Sequence, residues 1–132
     1  MLELELTFLS PLLFMDQFVK PLTWIFGAVL TLVGVAGFVM ASPLLGLFEV
    51  GTVHNVIHIL SGVVALGAAA TSYQYARLYL VGFGLVYGVV TVLGFLNGTS
   101  VLGVFGVNQA DNFLHLAIAA LCLGVGFGSR KV

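Results

Sequence analysis

Apolar residues fill most of the chain in four long runs that short polar segments separate. The runs cover residues 21–40, 52–71, 78–96 and 109–128. A helix needs about 20 apolar residues to cross the roughly 30 Å hydrocarbon core of a bilayer. Turn formers such as Ser42-Pro43 and Asn97-Gly98 lie between the runs. The pattern therefore predicts four transmembrane helices joined by short connections.

The composition agrees with this interpretation. Of the 132 residues, 61% are hydrophobic and only 7% are charged, whereas about a quarter of the residues in a soluble domain are charged. The predicted partner is therefore the lipid bilayer. Four basic and five acidic residues give a net charge of −1, so no nucleic-acid partner is predicted.

The segment before the first run, residues 1–19, has a different character. It reads MLELELTFLSPLLFMDQFV, with acidic residues near its start and Pro11 within its apolar part. It lacks the basic start of a cleavable signal peptide. We expect a short N-terminal helix that lies in the membrane interface and precedes the first span.

The basic residues predict the orientation of the chain. Lys20 precedes the first run, Arg77 follows the second, and Arg130 and Lys131 follow the fourth. Four spans place all of these residues on one side of the membrane. Basic residues accumulate on the cytoplasmic side, so we expect a multi-pass protein of the cytoplasmic membrane with both termini inside.

A shift of 57 positions aligns the two halves of the chain without a gap. It pairs Phe26-Gly27 with Phe83-Gly84, Gly37-Phe38 with Gly94-Phe95, Asn55 with Asn112, and His58 with His115. The sequence thus predicts one all-α membrane domain, a four-helix bundle made from a duplicated helical hairpin, residues 20–76 and 77–132. Two-span units enter the membrane in the same direction, so their pseudo-two-fold axis should follow the membrane normal.

The strongest candidate for chemistry is a polar cluster that recurs in both halves. Its members are His54, Asn55 and His58 on the second span, and Asp111, Asn112 and His115 on the fourth. Residues three or four apart share one face of a helix. At 1.5 Å per residue His58 lies about 9 Å into its span, where polar groups normally face the bundle interior. The two faces should therefore meet between helices 2 and 4.

The residue types in this cluster favour a transition metal. His54, His58, Asp111 and His115 supply three imidazoles and a carboxylate, a donor set that suits zinc, iron, manganese or copper. Asn55 and Asn112 would act from outside the ligand set and orient the rings.

Two other interpretations of the cluster stay open. The polar groups could clamp the helices of a scaffold or an interaction subunit by hydrogen bonds alone, with no cofactor. Alternatively, His58 and His115 could be the axial ligands of a b-type haem. No catalytic motif identifies an enzyme, since no serine or cysteine has a plausible neighbouring base. Assembly into a homo-oligomer or a larger membrane complex is also left open.

Three segments resemble the signature of a known family. They are HNVIHILSG, ARLYLVGFGLVYGVVTVLGF and VNQADNFLHL. They are similar to those of small four-helix bacterial membrane proteins that carry only a domain-of-unknown-function label, and the resemblance covers about residues 20–128. It implies a four-span fold and gives weight to the six polar residues of the cluster. It implies no activity.

Overall fold

The computed structural model describes residues 2–129, with side chains from residue 14 onward. This part of the chain forms four helices: α1 (Leu2–Val39), α2 (Thr52–Thr71), α3 (Tyr73–Asn97) and α4 (Gln109–Gly128). Two short antiparallel strands, β1 (Ser100–Val101) and β2 (Phe105–Gly106), lie between α3 and α4. All four helices are long and apolar enough to cross a membrane. The prediction of an all-α, four-span protein is confirmed.

The observed helices match the predicted spans, except that α1 starts earlier and that α3 begins at Tyr73, five residues before the predicted residue 78. Helices α2 and α4 begin and end at the predicted residues. Among the residues with described side chains, Phe14–Val39 of α1 is long and apolar enough to cross a membrane, and it includes residues before 21. We expected a separate helix ahead of the first span, but the backbone of α1 passes residue 19 without a break. The location of residues 1–19 in the membrane interface stays a prediction.

The helices pack as two hairpins. Helix α1 packs mainly on α2, and α3 mainly on α4. Glycines allow the close approach within the first hairpin: a Cβ added at Gly62 would overlap Thr31. The loops of residues 40–51 and 98–108 lie at the same end of the bundle, which we call the loop end. The short connection at Ser72, between α2 and α3, marks the turn end.

The core lies where α1 meets α3. The rings of Phe26 and Phe83 are 6.0 Å apart there, and Val19, Leu80 and Cys122 are fully buried around them. The other two helices stay apart, since no Cα atom of α2 lies within 8 Å of a Cα atom of α4. The bundle therefore has a gap between α2 and α4 that only side chains can bridge.

The two loops at the loop end contain the same turn. Leu45 and Gly46 have φ angles of 55° and 73°, and Leu102 and Gly103, 57 positions later, have φ angles of 51° and 70°. Glycine adopts this left-handed conformation without steric cost. The residues on either side pair in both loops, Leu44 with Phe48 and Val101 with Phe105. The duplication of the chain and its symmetry axis stay predictions.

Candidate metal centre

Three histidines meet in the gap between α2 and α4, near the loop end. His54 and His58 lie one helical turn apart on α2, with ring centroids 4.4 Å apart. His115 comes from α4, and its ring centroid is 5.9 Å from that of His54. One ring nitrogen of each histidine lies within 4.8 Å of those of the other two. The helical spacing on α2 and the packing of the bundle thus bring together three of the four predicted ligands.

The three imidazoles are buried and incompletely hydrogen-bonded. His54 and His115 are 3% exposed and His58 is 8% exposed. The Nδ1 atom of each ring is inaccessible to solvent and has no hydrogen-bond partner. A buried polar group without a partner costs about 1–3 kcal/mol. Three such atoms in one place make this cluster a candidate ligand site.

Aromatic rings surround the histidines. The Tyr87 ring of α3 meets His115 edge-on, with centroids 5.0 Å apart. The Phe105 ring of β2 lies 5.0 Å from His54. Sequence reasoning missed both residues, because an aromatic side chain in an apolar stretch is usually core or lipid-facing. Phe105 could have been predicted from the turn before it, because that turn folds residues 100–106 back over the start of α2.

Asp111 is the predicted ligand that does not join the other three. Its Oδ2 atom accepts hydrogen bonds from the backbone N–H groups of Asn108, at 2.8 Å, and Glu49, at 3.0 Å. Asn108 in turn caps α4 by accepting from the Asp111 N–H. This reciprocal capping box satisfies backbone donors that a helix start leaves free. Asp111 therefore holds the start of α4 and connects it to the first loop.

The two asparagines contact the neighbouring helices. The Asn55 amide lies against Gly37 of α1, and the Asn112 amide lies against Gly94 of α3, so a Cβ at either glycine would overlap the amide oxygen. Neither amide atom of Asn112 has a hydrogen-bond partner, nor does Oδ1 of Asn55. The expected hydrogen bond from Asn112 to a histidine ring is thus not present.

A groove leads from the cluster along the bundle. It runs between α2 and α3, has a volume of about 660 Å³, and includes both His54 and His115 in its wall. We call it the α2–α3 groove. Its rim residues Leu60, Val64, Leu78 and Val86 are each more than half exposed. The groove therefore opens sideways onto the apolar surface of the bundle.

Comparison with known proteins identifies the family. The family model described as Domain of unknown function (DUF4383) matches residues 20–128. The match covers most of the chain, so the protein belongs to this family, and the resemblance carried by the three sequence segments is confirmed. No curated protein and no solved structure matches the chain.

Proposed function

We propose that this DUF4383 protein binds a transition-metal ion inside the membrane through His54, His58 and His115. One observation carries the proposal: ring nitrogens of three buried histidines converge within 4.8 Å while all three Nδ1 atoms lack partners. Imidazole nitrogens bind zinc at about 2.0–2.1 Å, which places ligands of a tetrahedral site about 3.3 Å apart. The three ring nitrogens would have to move closer together to reach that spacing.

The missing hydrogen bonds favour a metal site over a purely structural clamp. A clamp stabilises a bundle by pairing polar groups of different helices. Here the Nδ1 atoms of the three histidines and both amide atoms of Asn112 make no hydrogen bond. A metal ion would use lone pairs that the protein leaves free, and neutral histidine is the form that binds metals.

The position of His54 favours a single ion over haem. A haem held by His58 and His115 needs its flat macrocycle to pass between the two axial imidazoles. The His54 ring is 4.4 Å from His58 and 5.9 Å from His115, so a third imidazole lies close to both proposed axial ligands. Haem would leave His54 without a ligand role, whereas a single ion would use all three histidines.

Three histidines also leave room for a further ligand. Sites that bind zinc through three protein side chains keep a fourth position for water or a substrate. Two of the three histidines line the α2–α3 groove, so a molecule in that groove could reach the fourth position. Imidazole ligands suit zinc, copper and iron well, and manganese less so.

Metal content of the purified protein tests the proposal. Wild type, His54→Gln, His58→Gln and His115→Gln are purified in detergent after growth with added zinc, iron, manganese and copper. We expect about one ion per wild-type chain and a loss of at least tenfold in each variant, because amides are poor ligands for these metals.

Asp111→Asn is the matched control, since it keeps the shape of a cluster residue outside the three-histidine group. It should retain the ion. A wild-type protein without tightly held metal would overturn the proposal and leave the structural clamp as the explanation. A Soret band at roughly 410–430 nm would instead identify haem.

We also propose the orientation that the basic residues predict, with the turn end in the cytoplasm and the metal centre toward the outside of the cytoplasmic membrane. Lys20 and Arg77 support it, since they lie near the turn end of α1 and α3, away from the histidines. Cysteine at Thr99 should react with an impermeant thiol reagent in intact cells, and cysteine at Gln74 should not. Equal labelling at both positions would contradict this orientation.

A further inference from the structure

The wall of the α2–α3 groove is almost entirely hydrocarbon. Its volume of about 660 Å³ lies within the usual range for small-molecule sites. On α3 the lining extends from Tyr75 to Val90, a distance of about 22 Å at 1.5 Å per residue. The groove is therefore long enough for a chain-like apolar molecule that enters from the bilayer.

Small residues create this space. Ser61 of α2 and Gly82 of α3 both line the groove. A Cβ added at Gly82 would meet no atom within 4 Å. The groove thus has room at its middle that a larger side chain could occupy.

The charge of the groove restricts its ligand. Its lining contains no aspartate, glutamate, lysine or arginine, and its only titratable nitrogens are those of His54 and His115. Arg77, on the same helix, instead uses its Nε to donate to the Gly126 carbonyl and to Ser129. An ionic head group needs an opposite charge when it leaves water inside a membrane. The ligand that fits is therefore neutral.

The end of the groove near the loops suits a flat ring with oxygen atoms. His54, Phe105, Tyr87 and His115 all line it, and aromatic faces and edges bind planar rings by stacking. His54 and His115 are also buried polar side chains with a free nitrogen. An imidazole can donate to a carbonyl oxygen or accept from a hydroxyl. Farther along, the buried Tyr79 hydroxyl also has no partner.

From this arrangement we infer that the α2–α3 groove binds a lipid-soluble quinone. The quinone ring lies beside His54 and His115, with an oxygen bonded to an imidazole, and the isoprenoid tail follows α3 toward Tyr75. A quinone is neutral, planar at one end and apolar at the other, as the wall requires. The inference goes beyond the proposed metal site and concerns the protein whose histidines hold no ion, because an ion would occupy the imidazole nitrogens that bond to the quinone.

Direct binding to the full chain in phosphatidylcholine nanodiscs tests this inference. The probe is a radiolabelled benzoquinone with a short isoprenoid tail, and empty nanodiscs give the background. Wild type should bind it saturably. Gly82→Ile and Ser61→Ile fill the groove from opposite sides, and each should weaken binding at least about tenfold, or 1.4 kcal/mol.

Gly88→Ile is the matched control, because Gly88 is a glycine of the same helix that also has nothing within 4 Å of an added Cβ and does not line the groove. It should bind the quinone as wild type does. Unaltered binding in both groove variants, or no saturable binding by wild type, would overturn the inference.

Competition identifies which part of the ligand the groove recognises. An isoprenoid alcohol with the same tail and oleate, an anionic acyl chain, should each displace the quinone at least about tenfold less effectively than unlabelled quinone. Equal displacement by either would overturn quinone recognition. Metal content is measured in the same samples, so absence of the ion and absence of quinone binding are separate results.

Discussion

Two grooves formed by residues whose side chains the structure describes lie at corresponding seams of the bundle and differ in volume. The α2–α3 groove has a volume of about 660 Å³, and the groove between α1 and α4 has about 330 Å³. The smaller groove includes Phe18, Pro21, Leu22 and Ile25 in its wall, and the larger one includes Tyr75, Leu78, Tyr79 and Gly82, each 57 positions later. Corresponding surfaces thus provide different amounts of space.

Side-chain size accounts for the difference. Ile25 stands where the larger groove has Gly82, and Ile118 stands where it has Ser61. Ile118 packs against the core. Two isoleucines therefore shorten one groove, whereas a glycine and a serine extend the other as far as the histidines. The two pairs of helices therefore form grooves of different size.

The starts of α2 and α4 differ in the same way. Helix α4 has the Asn108 and Asp111 capping box, whereas Gly51 before α2 provides no side-chain cap. His54 occupies the position that corresponds to Asp111. His54 belongs to the histidine cluster, whereas Asp111 caps its own helix. The cluster therefore contains two residues of the first hairpin and one of the second.

The largest expected effect on stability comes from the contact between a glycine and a buried asparagine, which both hairpins contain. Gly37→Ala and Gly94→Ala should each lower the free energy of unfolding by about 3 kcal/mol, because the new methyl group would overlap a buried asparagine amide. Unfolding in mixed micelles with increasing SDS measures this. Gly88→Ala, with open space around its Cβ, should be neutral. Destabilisation in one hairpin alone would break the comparison at this contact.

The next largest effect on stability comes from the starts of α2 and α4, where the two hairpins differ. Asp111→Ala should cost about 2 kcal/mol, because it removes a helix cap and leaves the N–H groups of Asn108 and Glu49 without their acceptor. His54→Leu, at the corresponding position, should cost less than Asp111→Ala in metal-free protein, since the Nδ1 atom of His54 has no hydrogen-bond partner. The same unfolding assay compares the two variants. Equal costs would contradict the separate roles assigned to these residues.

A smaller effect on stability is expected at His58 and His115, which occupy corresponding positions in the two hairpins. In metal-free protein, His58→Ala and His115→Ala should each cost about 1 kcal/mol, mainly through lost packing. The two free-energy costs should be similar, because the two residues occupy corresponding positions in the two hairpins. A large loss for one variant beside none for the other would show that the two hairpins support the cluster unequally.

The smallest effect on stability is expected at Gly82 and Ile25, which occupy corresponding positions in the two grooves. Gly82→Ile should leave stability unchanged or raise it by about 0.5 kcal/mol, since isoleucine has a higher helix propensity than glycine and meets open space. Ile25→Gly should lower it by about 1 kcal/mol for the converse reason. Thermal unfolding in nanodiscs compares both with wild type. Clear destabilisation by Gly82→Ile would show that the larger groove has no room for this side chain.

The sequence alone predicted the helices and the convergence of the histidines. Apolar run length determined α2 and α4, and the spacing of His54 and His58 placed both rings on one face. The role of Asp111 was harder to decide, because a carboxylate in the first turn of a helix suits a metal site and a cap equally well. Only the positions of the backbone N–H groups of Asn108 and Glu49 distinguish these roles.

Other features depend on contacts between distant parts of the chain. The contact of Asn112 with Gly94 requires the relative rotation of α3 and α4, which no periodicity specifies. The α2–α3 groove likewise depends on the spacing of two helices. The continuity of α1 through Pro21 is likewise not visible in the sequence, because packing against the rest of the bundle can offset the hydrogen bond that a proline removes.

The hydrogen bonds between the two loops have a consequence for biosynthesis. Glu49 N–H donates to Asp111, and Leu47 C=O accepts from Asn108, across separations of 62 and 61 residues. The ribosome makes the first hairpin well before it makes these partners. Residues 40–51 therefore reach their final form only after the second hairpin has been inserted, which makes closure of the first loop a late step in maturation of the protein.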